Sequence, residues 1–257
     1  LGAGGHGDFE EITGVVAWLE FSFDIGVKCE AEQLAPPRLF KTHQRLAAIN
    51  RGAKYLCTVR DPVKVCESYF AFFTEKGWAA HKSIDDFAYA WAHNLLWMPD
   101  NAPRTSYWDC IVDFWRARHL PTVCVLVFED LAKDIGGHLP TIAAFLGVRC
   151  DPTLAAKTVE MASKDWMAAH ESKFDDHWLS ERQAACGTAP RKVPPSTKVV
   201  AGAHVHRLSE SARAMLLERW EAQVAPLTGC KSYEEMAAGL RELRAQRRYE
   251  ASWSKQV

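Results

Sequence analysis

Residues 53–62 read AKYLCTVRDP. The run into Val59 is apolar, with aromatic and β-branched side chains, and is bounded by Gly52 and by Asp61-Pro62. This pattern predicts a strand buried on both faces, the kind found in parallel sheets. Asp61 is then placed to cap a helix N-terminus and Pro62 to open it, because proline's missing N–H costs nothing in the first turn. The helix carries Val65, Tyr69, Phe72 and Phe73 toward the core.

Working outward, PTVCVLVFEDL at 121–131 repeats the same grammar: a buried strand, then an acidic helix start, with a helix reaching about Leu146 and stopping at Gly147. Further helices are expected over 8–20 with Asp8 as N-cap, over 83–97, 104–118 and 151–169, and in two late segments. One of those is opened by Ser209; the other starts near Tyr233 and ends in a basic tail. Residues 24–37 read as irregular and RLFKTH at 38–43 as extended, while 186–207, rich in Pro, Gly and Thr, reads as a long loop. Strands alternating with helices predict an α/β fold of three layers, a parallel sheet flanked by helices. At 257 residues the chain is expected to form a single domain, 1–257.

A formal net charge of −1 excludes a whole-chain field drawing the protein to nucleic acid, so an anionic ligand must be held by a local cluster. No apolar run approaches the ~20 residues of a membrane span, and no signal peptide is visible, so the expected compartment is cytoplasmic. The eight cysteines, at 29, 57, 66, 110, 124, 150, 186 and 230, contain no Cys-x-x-Cys pair and read as reduced, buried thiols. The ten tryptophans are expected in the core and in pocket walls.

Arg60 ends the first buried strand, and a helix N-terminus follows at once. In parallel sheets ligands gather beyond the carboxyl ends of strands, where free N–H groups and an arginine fork suit a phosphate. Ser68 could add a hydroxyl donor. A surface arginine paired to a carboxylate explains Arg60 equally well. Lys41 and His43 stand two apart in an extended run and so face one side, offering a cation and an imidazole to the same space. Taken alone they are also explained as a solvated lysine and a histidine at the edge of the core. His204 and His206 suggest no third metal ligand, and no metal is expected. Residues 241–248, RELRAQRR, read as a solvated helix face, with a homodimer contact or an acidic partner as alternatives.

Together these pieces resemble the sulfotransferases that use 3′-phosphoadenosine 5′-phosphosulfate (PAPS). Arg38-Leu39-Phe40-Lys41-Thr42-His43 is similar to the family's segment ending in Lys-Thr-His. Val59-Arg60-Asp61-Pro62 with Ser68-Tyr69-Phe70 is similar to its Arg-x-Pro stretch with a serine eight residues after the arginine. Phe128-Glu129-Asp130-Leu131 resembles its Tyr/Phe-Glu-Asp run, and Met161-Ala162-Ser163 with Met167 its adenine-pocket segment. Trp220 to Tyr233 resembles the C-terminal region of bacterial-type members. The resemblance implies a fold related to P-loop nucleoside kinases and transfer of a sulfuryl group to the hydroxyl of a small-molecule acceptor; the acidic and aromatic segments 8–21 and 78–108 would form its pocket and favour an apolar acceptor. It implies His43 as general base, Lys41 stabilising the group in transit, and Arg60 and Ser68 on the donor's 3′-phosphate. Phe128 and Ser163 would also line the nucleotide site.

Two departures qualify it. The family's phosphosulfate-gripping loop would lie upstream of Leu1, so the domain is expected to be N-terminally incomplete and this stretch alone not competent. The family's late Arg-Lys-Gly has its best counterpart at Lys198-Val199-Val200-Ala201-Gly202, with Lys198 as the surviving contact and Arg191-Lys192 as the weaker choice. The alternatives are a nucleotide-binding homologue that has lost catalysis and serves as a scaffold, and a P-loop metabolite kinase, whose lysine and Mg²⁺-binding aspartate are not visible.

Overall fold

The computed structural model describes residues 9–33, 36–75, 77, 81–96, 106–188 and 207–253, with the side chains of the last helix described to Arg247. The first segment departs from expectation. Only Ile12–Val15 (α1) is helical, capped by the Glu11 carboxylate; Asp8 lies outside the described residues. Gly14, Val15 and Val16 are poor helix formers, and the chain leaves the helix to pair Ala17–Trp18 (β1) in parallel with Phe40–Lys41 (β2).

Tyr55–Val59 (β3) and Pro62–Glu75 (α2) form as the residues predict, with Asp61 Oδ1 accepting from the Val63 and Lys64 N–H groups at 2.7 and 3.2 Å. The deepest face of α2 is Cys66, Phe70 and Phe73, whereas Val65, Tyr69 and Phe72 are partly buried. Ile84–Ala92 (α3) and Tyr107–Ala117 (α4) follow, each N-capped by a serine. Both are shorter than expected, and residues 97–105 lie outside the described residues.

Val123–Val127 (β4) pairs in parallel with β3, Tyr55↔Val123 through Val59↔Val127. Of the two, β4 is the strand buried on both faces. Leu56 of β3 is 46% exposed, a correction to the reading of 53–60. The helix expected to run to Leu146 is broken into Phe128–Lys133 (α5) and Ile135–Leu146 (α6), because Asp134 leaves helical geometry to cap Gly137. Gly147 ends α6 at φ 79°, a left-handed conformation suited to glycine. The 151–169 helix likewise divides at Ser163 into Pro152–Met161 (α7) and Lys164–Ala169 (α8).

His177–Ala185 (α9), Glu210–Gln223 (α10), the short turn Ala225–Thr228 (α11) and Tyr233–Trp253 (α12) complete the chain. The fold is α/β with parallel pairing, though among the described residues the sheet is two separate two-stranded pieces. Residues 189–206, most of the long loop with Arg191, Lys192, Lys198, His204 and His206, lie outside the described residues.

Two apolar clusters hold these elements. The larger gathers Val59, Phe70, Phe73, Phe87, Trp108, Trp115, Leu216, Trp220 and Met236 between β3–β4 and α2, α3, α4, α10 and α12. Its tryptophans bury their rings without orphaning their N–H groups. Trp108 donates to the Ala92 carbonyl, Trp115 to Thr228 and Trp220 to Cys230, each at 3.0 Å. Gly239 lets α12 close on Trp115, since a Cβ there would lie 2.9 Å from the ring. The smaller cluster is Phe21, Ile25 and Leu179, with Trp18, Val27 and Trp178 against it.

The cysteines are unpaired. Burial pushes the Cys57 and Cys66 thiols up to about 12 and the Cys110 thiol to about 11, so they stay protonated; Cys150 and Cys186, unlike the expectation, are exposed. The basic tail is not simply solvated. Arg241 forks onto Asp130 at 2.8 and 2.9 Å, and Arg247 donates to the carbonyls of Arg118, Leu120 and Val123.

Candidate functional site

Strands β3 and β4 run in parallel and in register, so Arg60 and Phe128 emerge together at their carboxyl edge. The Arg60 guanidinium lies over the Phe128 ring, 4.5 Å from its centroid, and makes no ion pair among the described residues. An arginine stacked on an aromatic face keeps its outward N–H groups for an anion. The surface-pair explanation of Arg60 finds no carboxylate partner among the described residues.

The backbone beneath is tied from three directions. Tyr107 donates its O–H to the Arg60 carbonyl at 2.5 Å, and the Asp61 N–H donates to Glu129 Oε1 at 3.1 Å. Tyr233 donates to the other Glu129 oxygen and at 3.4 Å to the Val59 carbonyl. Burial raises both phenols above their ordinary range, and the Glu129 carboxylate adds to this at Tyr233, so both remain donors. Ser68 stands exposed further along α2. Ser163 caps α8, its hydroxyl oxygen accepting from the Trp166 N–H at 3.2 Å. The structure thus brings Arg60 and Phe128 together and shows no contact joining Ser68 or Ser163 to them among the described residues.

Lys41 and His43 meet at one side chain. The Lys41 ammonium sits 3.5 Å from the centroid of the Trp18 ring, and the His43 imidazole meets the same indole edge-on at 4.9 Å. Register explains it, since β1 pairs with β2 so that Trp18 lies opposite Lys41. The His43 residue is exposed. Its backbone N–H donates to Glu20 Oε1 at 2.5 Å, and the Thr42 hydroxyl donates to the same oxygen at 2.8 Å. Trp18, Glu20, Tyr107, Glu129 and Tyr233 were not singled out as site residues from the sequence. Glu129 and Tyr233 lie within motifs, and Trp18, Glu20 and Tyr107 within the acidic and aromatic segments 8–21 and 78–108.

A parallel strand pair ending in an arginine stacked on an aromatic ring at a helix N-terminus, with a separate lysine–histidine pair, defines an α/β protein. The family model described as "Sulfotransferase domain" matches residues 5–187. The chain belongs to the sulfotransferase family.

Among curated relatives, it is 26% identical over 137 residues to Sulfotransferase 4A1 of Mus musculus, covering 50% of this chain and 45% of that one. It is 28% identical over 117 residues to the luciferin sulfotransferase of Photinus pyralis, covering 42% of this chain and 30% of that one. The match thus spans less than half the length of these relatives. A mouse sulfotransferase, SULT7A1, complexed with PAP, superposes with a TM-score of 0.55 at 16% identity, covering 81% of this chain and 70% of that one. Retinol dehydratase in complex with androsterone and inactive cofactor PAP gives 0.57 at 20%, covering 79% and 56%. At such identities these likenesses speak to the fold. No described helix is long and apolar enough to cross a membrane.

Proposed function

We propose that the protein, acting as one domain, transfers a sulfuryl group from PAPS to the hydroxyl of a small molecule. The observation that carries this reading is the convergence of Lys41 and His43 on Trp18. His43 takes the acceptor's proton as its oxygen attacks sulfur, and the bond from sulfur to the phosphate oxygen breaks, releasing adenosine 3′,5′-bisphosphate. Lys41 offsets the negative charge on the group in transit, so that positioning and charge stabilisation supply most of the rate. Arg60, backed by Phe128, holds the 3′-phosphate, with Ser68 and Lys198 as further donors to it and Ser163 in the segment that lines the adenine pocket. The Trp18 indole offers an apolar wall beside the base, which favours an acceptor with an aromatic or alicyclic body. The androsterone named with one structural neighbour is of that kind.

The test is His43→Ala in the full-length gene product, assayed with PAPS and a panel of phenols, sterols and sugars. Loss of a general base lowers transfer by about 10²–10⁴-fold, and affinity for adenosine 3′,5′-bisphosphate stays within a few-fold. Transfer surviving within a few-fold removes His43 as the base. A wild-type protein that binds the nucleotide and never transfers is the scaffold instead.

A further inference from the structure

We infer that Glu20 is the positioning residue of the His43 base. The inference rests on the reading of His43 given above, and the geometry is independent of it. Glu20 sits in the single 3-10 turn Leu19–Phe21 directly after β1. That turn is itself well anchored. Phe21 is 1% exposed and meets Trp18 edge-on at 4.5 Å, and the Ser22 hydroxyl donates to the Trp18 carbonyl at 3.0 Å.

From this mount one carboxylate oxygen reaches across to the segment after β2. Oε1 accepts from the His43 N–H at 2.5 Å and from the Thr42 hydroxyl at 2.8 Å. Thr42 Oγ1 in turn accepts from the Gln44 N–H at 3.0 Å. A single oxygen therefore fixes three consecutive residues around the base, directly or through one hydroxyl. Hydrogen bonds to an ionised acceptor are about twice as strong as neutral ones, and strand β2 is only two residues long. On its far side the loop is tied by Arg45, which forks onto Asp113 at 2.7 and 2.8 Å. The second oxygen, Oε2, is buried and has no hydrogen-bond partner among the described residues. The two hydrogen bonds that converge on Oε1 fix the positions of their donors, the His43 N–H and the Thr42 hydroxyl.

Glu20 does not touch the reacting atoms in this scheme. It sets the backbone from which the imidazole projects, so that the ring meets Trp18 and shares its space with Lys41. Misplacing a reacting group by ~1 Å costs on the order of 10²-fold in rate. The expected signature is a loss in kcat without a loss in nucleotide affinity.

The experiment compares Glu20→Ala, Glu20→Gln, His43→Ala and the Glu20→Ala/His43→Ala double variant in the full-length gene product. Each is measured for kcat and KM with PAPS and a phenolic acceptor, and for the Kd of adenosine 3′,5′-bisphosphate. Glu20→Ala lowers kcat by about 10–100-fold and leaves that Kd within twofold. Glu20→Gln, which keeps an accepting oxygen at the same reach, recovers most of the rate. In the double variant Glu20→Ala adds nothing to His43→Ala, because residues acting as a unit are not additive. Full kcat in Glu20→Ala beside a dead His43→Ala overturns the inference alone. So does an equal loss of nucleotide affinity, or an additive drop in the double variant. An active His43→Ala overturns both this inference and the mechanism it rests on.

Discussion

At the carboxyl end of β3, Tyr107, Glu129 and Tyr233 come from three different helices to hold the backbone on which Arg60 stands. At the end of β2, the Glu20 carboxylate on one short turn bonds the backbone on which His43 stands, and the Arg45–Asp113 pair secures the segment after it. The first corner rests on the larger apolar cluster; the second rests on Phe21, Ile25 and Leu179 and the rings around them. The first has partners for its buried polar groups. Around the second, Trp18 Nε1, Glu20 Oε2 and Gln44 Oε1 are buried without one among the described residues. Unpartnered buried polar atoms and short strands mark regions that open at low free-energy cost. The Arg60 corner is thus a property of the global fold, and the His43 corner a property of a local one.

The sharpest way to break this comparison is to open a cavity in each cluster. Phe87 is fully buried and meets Phe70 and Phe73 within 5.5 Å, centroid to centroid. Phe87→Ala should cost about 3–5 kcal/mol of global stability, seen as a large drop in Tm with nucleotide binding and transfer lost together on heating. Phe21→Ala removes a ring of the same size from the small cluster. It should lower Tm much less, while hydrogen exchange at residues 17–43 speeds up and transfer fails with nucleotide affinity kept. If the two variants shift Tm equally, both corners unfold as one unit and the distinction fails.

Next in size is the effect of Arg60 on ligand selectivity. A charge-assisted hydrogen bond to an anion is worth about 1.5–3 kcal/mol, or roughly 10–100-fold in Kd. Arg60→Ala should weaken adenosine 3′,5′-bisphosphate by that factor and adenosine 5′-phosphate by far less, both followed by titration calorimetry. Equal weakening of the two would take Arg60 away from the 3′-phosphate. Phe128→Leu, which removes the stacking face and keeps the bulk, should give the same selectivity loss in weaker form.

The Arg60 corner was legible because local chemistry writes it: an apolar run, a capping aspartate and a proline in sequence. Lys41 and His43 were legible as a pair through extended spacing, yet nothing in RLFKTH reports that Trp18 is the surface they share. That contact is set by the parallel pairing of two two-residue strands, far below what periodicity detects. The helix expected over 8–20 hid this pairing, because Phe9, Ile12, Val15, Val16 and Leu19 have helical spacing whether or not the chain stays helical. Glu20 was illegible for a related reason: its partners lie 22 and 23 residues on. The breaks at Asp134 and Ser163 are side chains choosing to cap a new helix instead of continuing the old one, a local competition that apolar patterning does not resolve. The arginines of the tail read as solvated because their acceptors, Asp130 and the carbonyls of 118, 120 and 123, come from elsewhere in the chain.

The smallest expected effect concerns the tie between the two regions. Just after His43, Arg45 forks onto Asp113 of α4 at 2.7 and 2.8 Å, and the Ala47 N–H donates to the same carboxylate at 3.2 Å. Asp113 is 13% exposed and Arg45 36%, so solvent screens the pair and its worth is about 1 kcal/mol. The hydrogen bonds from Arg45, with that of Ala47, hold the Asp113 carboxyl below its ordinary range in the folded protein. In the unfolded chain it returns to the ordinary value of about 4. A carboxyl depressed by folding contributes fully above that ordinary value, and its contribution fades as pH falls through the lowered one. Asp113→Asn should therefore be less stable than wild type by a constant amount in urea unfolding above about pH 5. The difference should shrink as the pH is taken toward 2. Hydrogen exchange should show the loss first at residues 43–48, the segment the pair secures. A stability difference that does not change with pH would mean that Asp113 acts through packing, and that the loop of the base is held from its Glu20 side alone.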